Sequence, residues 1–345
     1  MAKARKILLL VHESLVPPED MEGRTEDEVE ECRTEYNVYS TLYNIGHDVR
    51  VLGIGDRLTD LREAIEDWQP DITFNLLEEF SGIVTYDHYV VAYLELSRQP
   101  YTGCNPRGMM ISRDKVLTKQ LLAYHRIPTP RFQVFPWGKR FHASRKLRFP
   151  LFVKSATEDA SLGISQASIV ENMARLRERV EFIHEQTQSS ALVEEYIEGR
   201  ELYVGVLGND RLKSLPIWEM DFGSSQGGGS GIATRKVKWD ANYQKRHGIA
   251  TGLATNLPPG SEQRIAKLAK RIYRALCMSG YARMDLRMRD DGSLFVLEAN
   301  PNPNLTYGED LAESALAAGM TYEQLLTRIV NLGLAYQAEW RMFEP

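Results

Sequence analysis

Cysteine is scarce in this chain. Cys32, Cys104 and Cys277 are the whole set among 345 residues, scattered and in no CxxC arrangement. That pattern excludes a disulfide framework and a thiolate metal site, and reads as reduced thiols in the cytosol. Long apolar runs are missing too. The start, MAKARKILLLVHES, sets basic residues before a run, but Ile7 to Val11 is too short for a signal core and His12-Glu13 ends it. No stretch reaches the length that spans a bilayer. An excess of positive charge is also lacking. The formal net charge of −5 argues against a dedicated nucleic-acid binder. No internal repeat is visible, no GxGxxG follows the first strand, and no loop ends in GK[ST]; a dinucleotide fingerprint and a Walker A loop are therefore excluded. The expectation is a cytoplasmic protein with neither a membrane nor a nucleic-acid partner.

The length suggests two or three domains. KILLLV at residues 6–11 has the continuous apolar character of a strand buried on both faces. A helix over Thr25–Asn44, a strand over Val49–Ile54, a helix over Leu58–Trp68 and a strand over Asp71–Leu77 follow. This alternation implies a small doubly wound parallel domain over 1–108, ending at the turn-rich Tyr101–Gly108. The rest is mixed. A helix over Ile111–His125 with Ser112 as N-cap precedes strands at Arg131–Phe135 and Phe149–Lys154. A helix at Glu171–Thr187 leads to strands at Ala191–Ile197, Leu202–Leu207 and Leu212–Trp218, an antiparallel region. A helix over Ser261–Cys277, capped by Ser261, and helices at Leu311–Ala318 and Tyr322–Leu334 complete the chain. The fold class is α/β plus α+β, with further units at 109–192 and 193–345.

The stretch that organises the second half is Tyr281–Leu305, YARMDLRMRDDGSLFVLEANPNPNL. Asp291-Gly292 is a type I′ hairpin signal, so residues whose numbers sum to 583 face each other. Asp285 then opposes Glu298 and Arg283 opposes Asn300. Met284, Leu286 and Met288 share the other face with Phe295, Leu297 and Ala299. Directly opposed carboxylates repel unless a cation sits between them. All-oxygen ligands, with the Asn300 amide third, argue for Mg²⁺ or Mn²⁺ over zinc. A charged solvent face neutralised by Arg287 and Arg289 is the plainer alternative.

Two more segments carry chemistry. FPLFVK ends at Lys154 and runs into SATEDASLGIS, a strand, lysine and small-residue loop of the kind that binds phosphate; an ordinary turn with a solvated lysine is the alternative. FGSSQGGGSG at 222–231 cannot pack, and the basic, aromatic ATRKVKWDANYQKRHG follows. A nucleic-acid contact and a catalytic lid over about 222–248 compete here. A single such stretch in an acidic protein favours the lid.

Taken in order, Asp114-Lys115, FPLFVK, ALVEEYIEGRE, RKVKW, GYARMDL and LEANPNP resemble the ATP-grasp ligases, closest to the D-alanine–D-alanine ligase group, over Tyr101–Leu334. The resemblance implies a Rossmann-like pre-grasp domain and two α+β subdomains enclosing ATP, usually in a homodimer. It implies phosphate contacts from Lys115 and Lys154 and a phosphate loop of Ala160, Ser161, Leu162 and Gly163, with Ser161 also among the catalytic residues. It places adenine on Glu194 and the extended backbone of Glu195, Tyr196 and Ile197, and ribose on Glu201. Two Mg²⁺ ions fall to Asp285, Glu298 and Asn300, the oxyanion to Arg283, and the γ-phosphate to Lys236 or Lys238. The implied reaction joins a small-molecule carboxylate and an amine through an acyl phosphate; D-alanine–D-alanine ligation itself, the same ATP chemistry stopped at phosphorylation, and a nucleotide-binding module without turnover are the alternatives.

The amino-acid half departs from the pattern. The glutamate-bearing motif after the first strand reads VHESLVPPEDMEG, and the one after the third reads NLLEEFSGIVTYDH. The family serine falls on Ala160, its tyrosine on Trp239 when Lys238 is aligned to the lid lysine, and its glycine and carboxylate-binding serine on Asn304 and about Glu309. An acid where a substrate carboxylate binds is repulsive. The substrates expected are therefore not two D-alanines, with His12, Glu13, Glu78, Glu79 and His88 as candidate contacts.

Overall fold

Ile7, Leu8, Leu9, Leu10 and Val11 are wholly buried, as a strand covered on both faces must be. In the computed structural model, which describes residues 3–18, 25–157, 165–223, 231, 232, 234, 237 and 240–343, they form β1 (Lys6–His12). It lies between β2 (Asp48–Ile54) and β3 (Ile72–Asn75), parallel to both. Helices cover both faces, as a parallel sheet requires: α1 (Glu26–Glu31), α2 (Arg33–Asn44), α3 (Thr59–Trp68) and α4 (Asp87–Leu96). The single helix expected over Thr25–Asn44 is broken at Cys32, whose backbone (φ −111, ψ 22) leaves the helical region.

Helix α5 (Pro106–Arg113) starts on Asn105, whose side chain accepts from the Gly108 N–H, with proline in the first turn. Ser112 lies inside α5 and caps nothing. The cap of α6 (Lys115–Tyr124) is Asp114, whose carboxylate accepts from the Val116 and Leu117 N–H groups, a better anchor for two donors than one hydroxyl. The second sheet is antiparallel and ordered β4-β7-β5-β6, from β4 (Phe132–Phe135), β5 (Leu151–Ser155), β6 (Ile169–Val170) and β7 (Ala191–Glu195), with α7 (Met173–Thr187) packed on it. Strand β7, which straddles the expected boundary at 192, pairs with β4 and β5 in this sheet.

The third sheet is ordered β11-β10-β8-β12-β13. Its strands are β8 (Arg200–Leu207), β10 (Trp218–Asp221), β11 (Ala250–Leu253), β12 (Tyr281–Met288) and β13 (Leu294–Asn300), with β9 (Lys213–Ser214) paired to β8. The strand expected over Leu212–Trp218 is thus two short pieces, and β11 was not anticipated; its short, largely exposed ATGL carries no alternating pattern. Helix α8 (Ala241–His247) precedes β11. Below the sheet lies α9 (Ser261–Ala275), whose Ile265, Ala269 and Ile272 meet Met284, Leu286, Met288 and Val296 in one core. Fully burying each of these β12 side chains contributes about 1.5–3 kcal/mol. Gly260, at φ +77, takes the cap position of α9, while the Ser261 hydroxyl accepts from Arg264 Nη2 at 3.1 Å. Helices α10 (Asp310–Ala317) and α11 (Tyr322–Ala335) close the chain, α11 packing with α2 against the first sheet.

The β12–β13 register matches the expectation where it matters and departs elsewhere. Arg283↔Asn300, Met284↔Ala299 and Asp285↔Glu298 pair as their sum of 583 requires. The turn, however, is not type I′. Only Gly292 has positive φ, and its N–H donates to the Arg289 carbonyl while Arg289 N–H donates to Ser293. This three-residue loop sets the neighbouring pairs Leu286↔Val296 to Met288↔Leu294 one residue out. A bulge at Leu297 then restores the register. Val296, in place of Phe295 and Leu297, consequently joins the core, and Leu297 turns into the cavity described below.

Gly199 precedes β8 at φ +138, and a Cβ there would lie 2.1 Å from the Met288 carbonyl oxygen. Gly199→Ala is expected to lose more than about 2 kcal/mol from backbone strain and displacement of β12. Thermal denaturation checks this; an unchanged melting midpoint contradicts the close approach.

Candidate active site

The three sheets meet around one cavity of about 1200 Å³. Alternation along β12 turns Arg283, Asp285 and Arg287 into it while Met284, Leu286 and Met288 go to the core. Arg283 grips Asp285 with two bonds, Nε–Oδ1 at 2.8 Å and Nη2–Oδ2 at 3.0 Å, and its Nη1 lies 3.7 Å from Asp310 Oδ2. Its guanidinium sits over the Tyr203 ring. Burial works against the Arg283 charge, but Asp285 outweighs it and the pKa is raised. Across the pair stands Glu298, with Lys115 Nζ at 3.5 Å. The Asn300 Oδ1 accepts from the Asn302 N–H at 2.9 Å, which holds the amide at the same wall. Asp285, Glu298 and Asn300 form an all-oxygen donor set that suits a hard divalent cation. Among the described residues, no three His, Cys, Asp or Glu side chains form a metal cluster, so the amide is needed to complete the set.

The second sheet supplies the opposite wall. On β5 and β7, Lys154 faces Glu194, Nζ–Oε2 2.9 Å. Lys119, one turn after Lys115 on α6, reaches the other oxygen of Glu194, bonds Thr129 Oγ1 at 2.9 Å and approaches the Leu297 carbonyl. Lys119 is 2% and Glu194 3% exposed. Burial alone would raise the Glu194 pKa, but Lys119 and Lys154 together hold it below the ordinary carboxylate value. The Glu194 side chain is thus committed to two lysines. Lys119 escaped the sequence reading, although two lysines four apart on one helix face are unfavourable without an anion and could have signalled one.

The extended segment after β7 is partly occupied. The N–H groups of Glu195 and Tyr196 donate to the Arg131 and Pro150 carbonyls, and the Glu195 carboxylate accepts from Arg148 N–H at 3.1 Å. Among the described residues the Ile197 N–H makes no internal bond, and Ile197 lines the cavity with apolar Pro130, Phe152 and Met220. Glu201 is buried in an ion pair with Arg287, its partner in the β8–β12 register, and accepts from the Tyr203 hydroxyl at 2.8 Å. Arg287 thus serves Glu201, not the opposed acids. Ala160, Ser161, Leu162, Gly163, Lys236, Lys238 and Trp239 lie outside the described residues.

The remaining end of the cavity is acidic. His12 Nε2 lies 3.3 Å from Glu79 Oε1, and Glu78 and Glu309 join the lining. Burial, then the neighbouring Asp310, raises the Glu309 pKa. Glu13 and His88, two of the expected contacts, are elsewhere: Glu13 lies over Gly55, and the His88 ring packs on Tyr89. Glu35 on α2 was not anticipated. It is buried, and desolvation, reinforced by Glu78, pushes its pKa up to about 7. Its spacing of three from Cys32 and Val38 and seven from Leu42 puts it on the buried stripe of the helix, and a carboxylate at such a position is the signal that could have found it.

A model of the D-ala D-ala ligase C-terminus family matches residues 121–331. The chain belongs to the D-alanine–D-alanine ligase family. That family is one of ATP-grasp ligases that form C–N bonds, and this ligase shares their fold. An uncharacterized protein of Sinorhizobium fredii is 33% identical over 308 residues, covering 86% of each chain. The D-alanine–D-alanine ligase of Nitratidesulfovibrio vulgaris is 31% identical over 298 residues, 86% of this chain and 91% of that one. The crystal structure of the D-alanine–D-alanine ligase of Bacillus anthracis complexed with ATP superposes with a TM-score of 0.73 at 24% identity, covering 99% of this chain and all of that one. No helix among the described residues is long and apolar enough to cross a membrane.

Two predictions follow from the buried charges. Lys119→Met leaves Glu194 buried with one lysine and should cost about 3–5 kcal/mol, with Glu194→Gln in the same chain recovering part of the loss; urea denaturation of the two variants decides this. For Glu35 the folded state holds its proton more tightly than the unfolded chain, whose value is near 4.5. Its contribution is therefore present below that pH and is lost as pH rises through about 7, by about 3 kcal/mol. Between pH 5 and 8 the native ligase should lose more thermal stability than Glu35→Gln; parallel melting profiles would refute the shift.

Proposed function

We propose that this ligase joins a carboxylate to an amine by way of an acyl phosphate, and that its substrates are not two D-alanines. The observation that carries the reading is the common wall made by Arg283, Asp285, Glu298 and Asn300, with Lys115 beside Glu298 and Lys154 on the opposite wall of one cavity. A polyphosphate chain needs that combination of cations and hard-cation ligands. In the proposed reaction a substrate carboxylate oxygen attacks the γ-phosphorus of ATP, and the bond to the β-phosphate oxygen breaks to release ADP. The amine nitrogen then attacks the acyl carbon, phosphate leaves, and the amine proton goes to solvent or phosphate.

Lys154 is held toward the phosphates by Glu194, and Lys115 enters from the first turn of α6. Arg283, positioned by Asp285 and the Tyr203 ring, stabilises the oxyanion of the tetrahedral intermediate. Asp285, Glu298 and Asn300 would hold Mg²⁺, which when bound neutralises phosphate charge. The slot of Pro130, Phe152, Ile197 and Met220 suits the adenine, with the Ile197 N–H free to donate to a ring nitrogen. In this reading Glu201 reaches ribose from its place against Arg287, and Ser161, Ala160, Gly163 and Lys236 or Lys238 close over the phosphates. A homodimer belongs to the same proposal, as do the units 1–108, 109–192 and 193–345, the second lengthened to take in β7.

The acidic lining supports a change of substrate. Glu309 stands where the resemblance puts a carboxylate-binding serine, and a second substrate carboxylate there would meet charge of its own sign. The test is incubation with ATP, Mg²⁺ and a panel of acids and amines, following phosphate release and new amide mass. Release that needs both an acid and an amine supports ligation; a stable phosphorylated acid contradicts it. Glu298→Gln removes one ligand charge and should lower turnover by at least about a thousandfold with an unchanged melting midpoint, whereas near-normal activity would overturn the metal assignment.

A further inference from the structure

The acidic end of the cavity lies between α2 and the loop after β13. The two elements are fastened together. Thr34 Oγ1 is bonded to Thr306 Oγ1 at 2.5 Å and to Asn304 Oδ1 at 3.3 Å, and Asn37 Oδ1 accepts from the Tyr307 N–H at 3.1 Å. Because that loop continues directly from Asn300, whatever occupies this end lies in the same cavity as the opposed acids and Arg283. The position is fixed by the fold, since α2 also packs on β1 through Val38 and Leu42.

Among the described residues, the carboxylates at this end differ in their pairing. Glu30 has Arg33 at 3.3 Å and Glu79 has His12 at 3.3 Å, but Glu35 has no such partner. It is only 6% exposed, yet it lines the cavity, and no hydrogen bond or ion pair joins its carboxylate to another described residue. Its own backbone N–H in the first turn of α2 is the donor it has; a buried carboxylate with no cation beside it is costly, and folds keep such groups where a ligand completes them. Glu78, close enough to act on it electrostatically, adds charge of the same sign. An anion or a second substrate carboxylate is repelled here, and a neutral side chain leaves the deficit as it is. A cation removes it.

We propose that this ligase takes an amine substrate with a second, distal ammonium group, and that Glu35, assisted by Glu78, is the counter-ion that seats the distal group while the other nitrogen reaches the acyl carbon. The inference rests on the carboxylate–amine ligase reading and narrows its acceptor to diamines and amines built like them. Monoamines of equal length fill the same space without answering the charge, so selectivity between the two classes is the expected signature.

The test is calorimetric titration of the full chain at pH 8 with α,ω-diamines of increasing length and the matching monoamines, with and without a non-hydrolysable ATP analogue and Mg²⁺. At least one diamine is expected to bind about tenfold or more tightly than its monoamine, and Glu35→Gln to remove that preference. Glu35→Asp, which keeps the charge, should retain part of it, and melting profiles show whether each variant is folded. A chain that binds diamines and monoamines alike, or a folded Glu35→Gln that keeps the preference, overturns the proposal. The two readings fail separately: absence of amine-dependent phosphate release counts against ligation, while the titration alone decides the Glu35 site.

Discussion

One buried carboxylate between two lysines ties the nucleotide side of this ligase together. Glu194 on β7 is reached by Lys154 from β5 and Lys119 from α6, and Lys119 continues to Thr129 and the Leu297 carbonyl on β13. Elements of two different sheets and a helix thus share a single charge cluster. Such a cluster does not add much stability over an apolar core, because desolvating three charged groups is expensive. What it does is fix positions. Loss of either lysine leaves the buried carboxylate with a single cation, so the Lys154 ammonium is held at the cavity wall.

The cavity is divided by charge. Lysines and the hairpin arginine gather where the second and third sheets face each other, and carboxylates gather under the first sheet. Both ends are built from strand edges and helix starts, where side chains are presented without breaking a core. The division suits a reaction that holds a polyanion at one end and a cation at the other, with the bond formed between them.

Much of this was legible in the residues. KILLLV announced the buried parallel strand, and Asp285, Glu298, Arg283 and Asn300 came out on one face as their spacing required. Lys119 and Glu35 did not. Each sits on the buried face of its helix, where a charge stands out, but what it meets there comes from residues distant in the chain: Glu194 for Lys119 and Glu78 for Glu35. Strand β11 and the caps of α6 and α9 were missed for a local reason. Asp114 and Gly260 compete with nearby serines for the same cap, and sequence alone does not say which wins.

The hairpin contains two irregularities of opposite effect: a three-residue turn at Asp290–Gly292 and an extra residue at Leu297. Between them the pairing runs one step out, and beyond them it is restored. Neither irregularity alone sets which face the acids take. Losing one residue at the turn would leave a two-residue turn across the same Arg289 and Ser293, with Asp285 still opposite Glu298, whereas losing the extra residue would remove the Leu297 carbonyl that Lys119 approaches. The turn is therefore free to change length without moving the opposed acids, while the bulge is tied to the buried lysine.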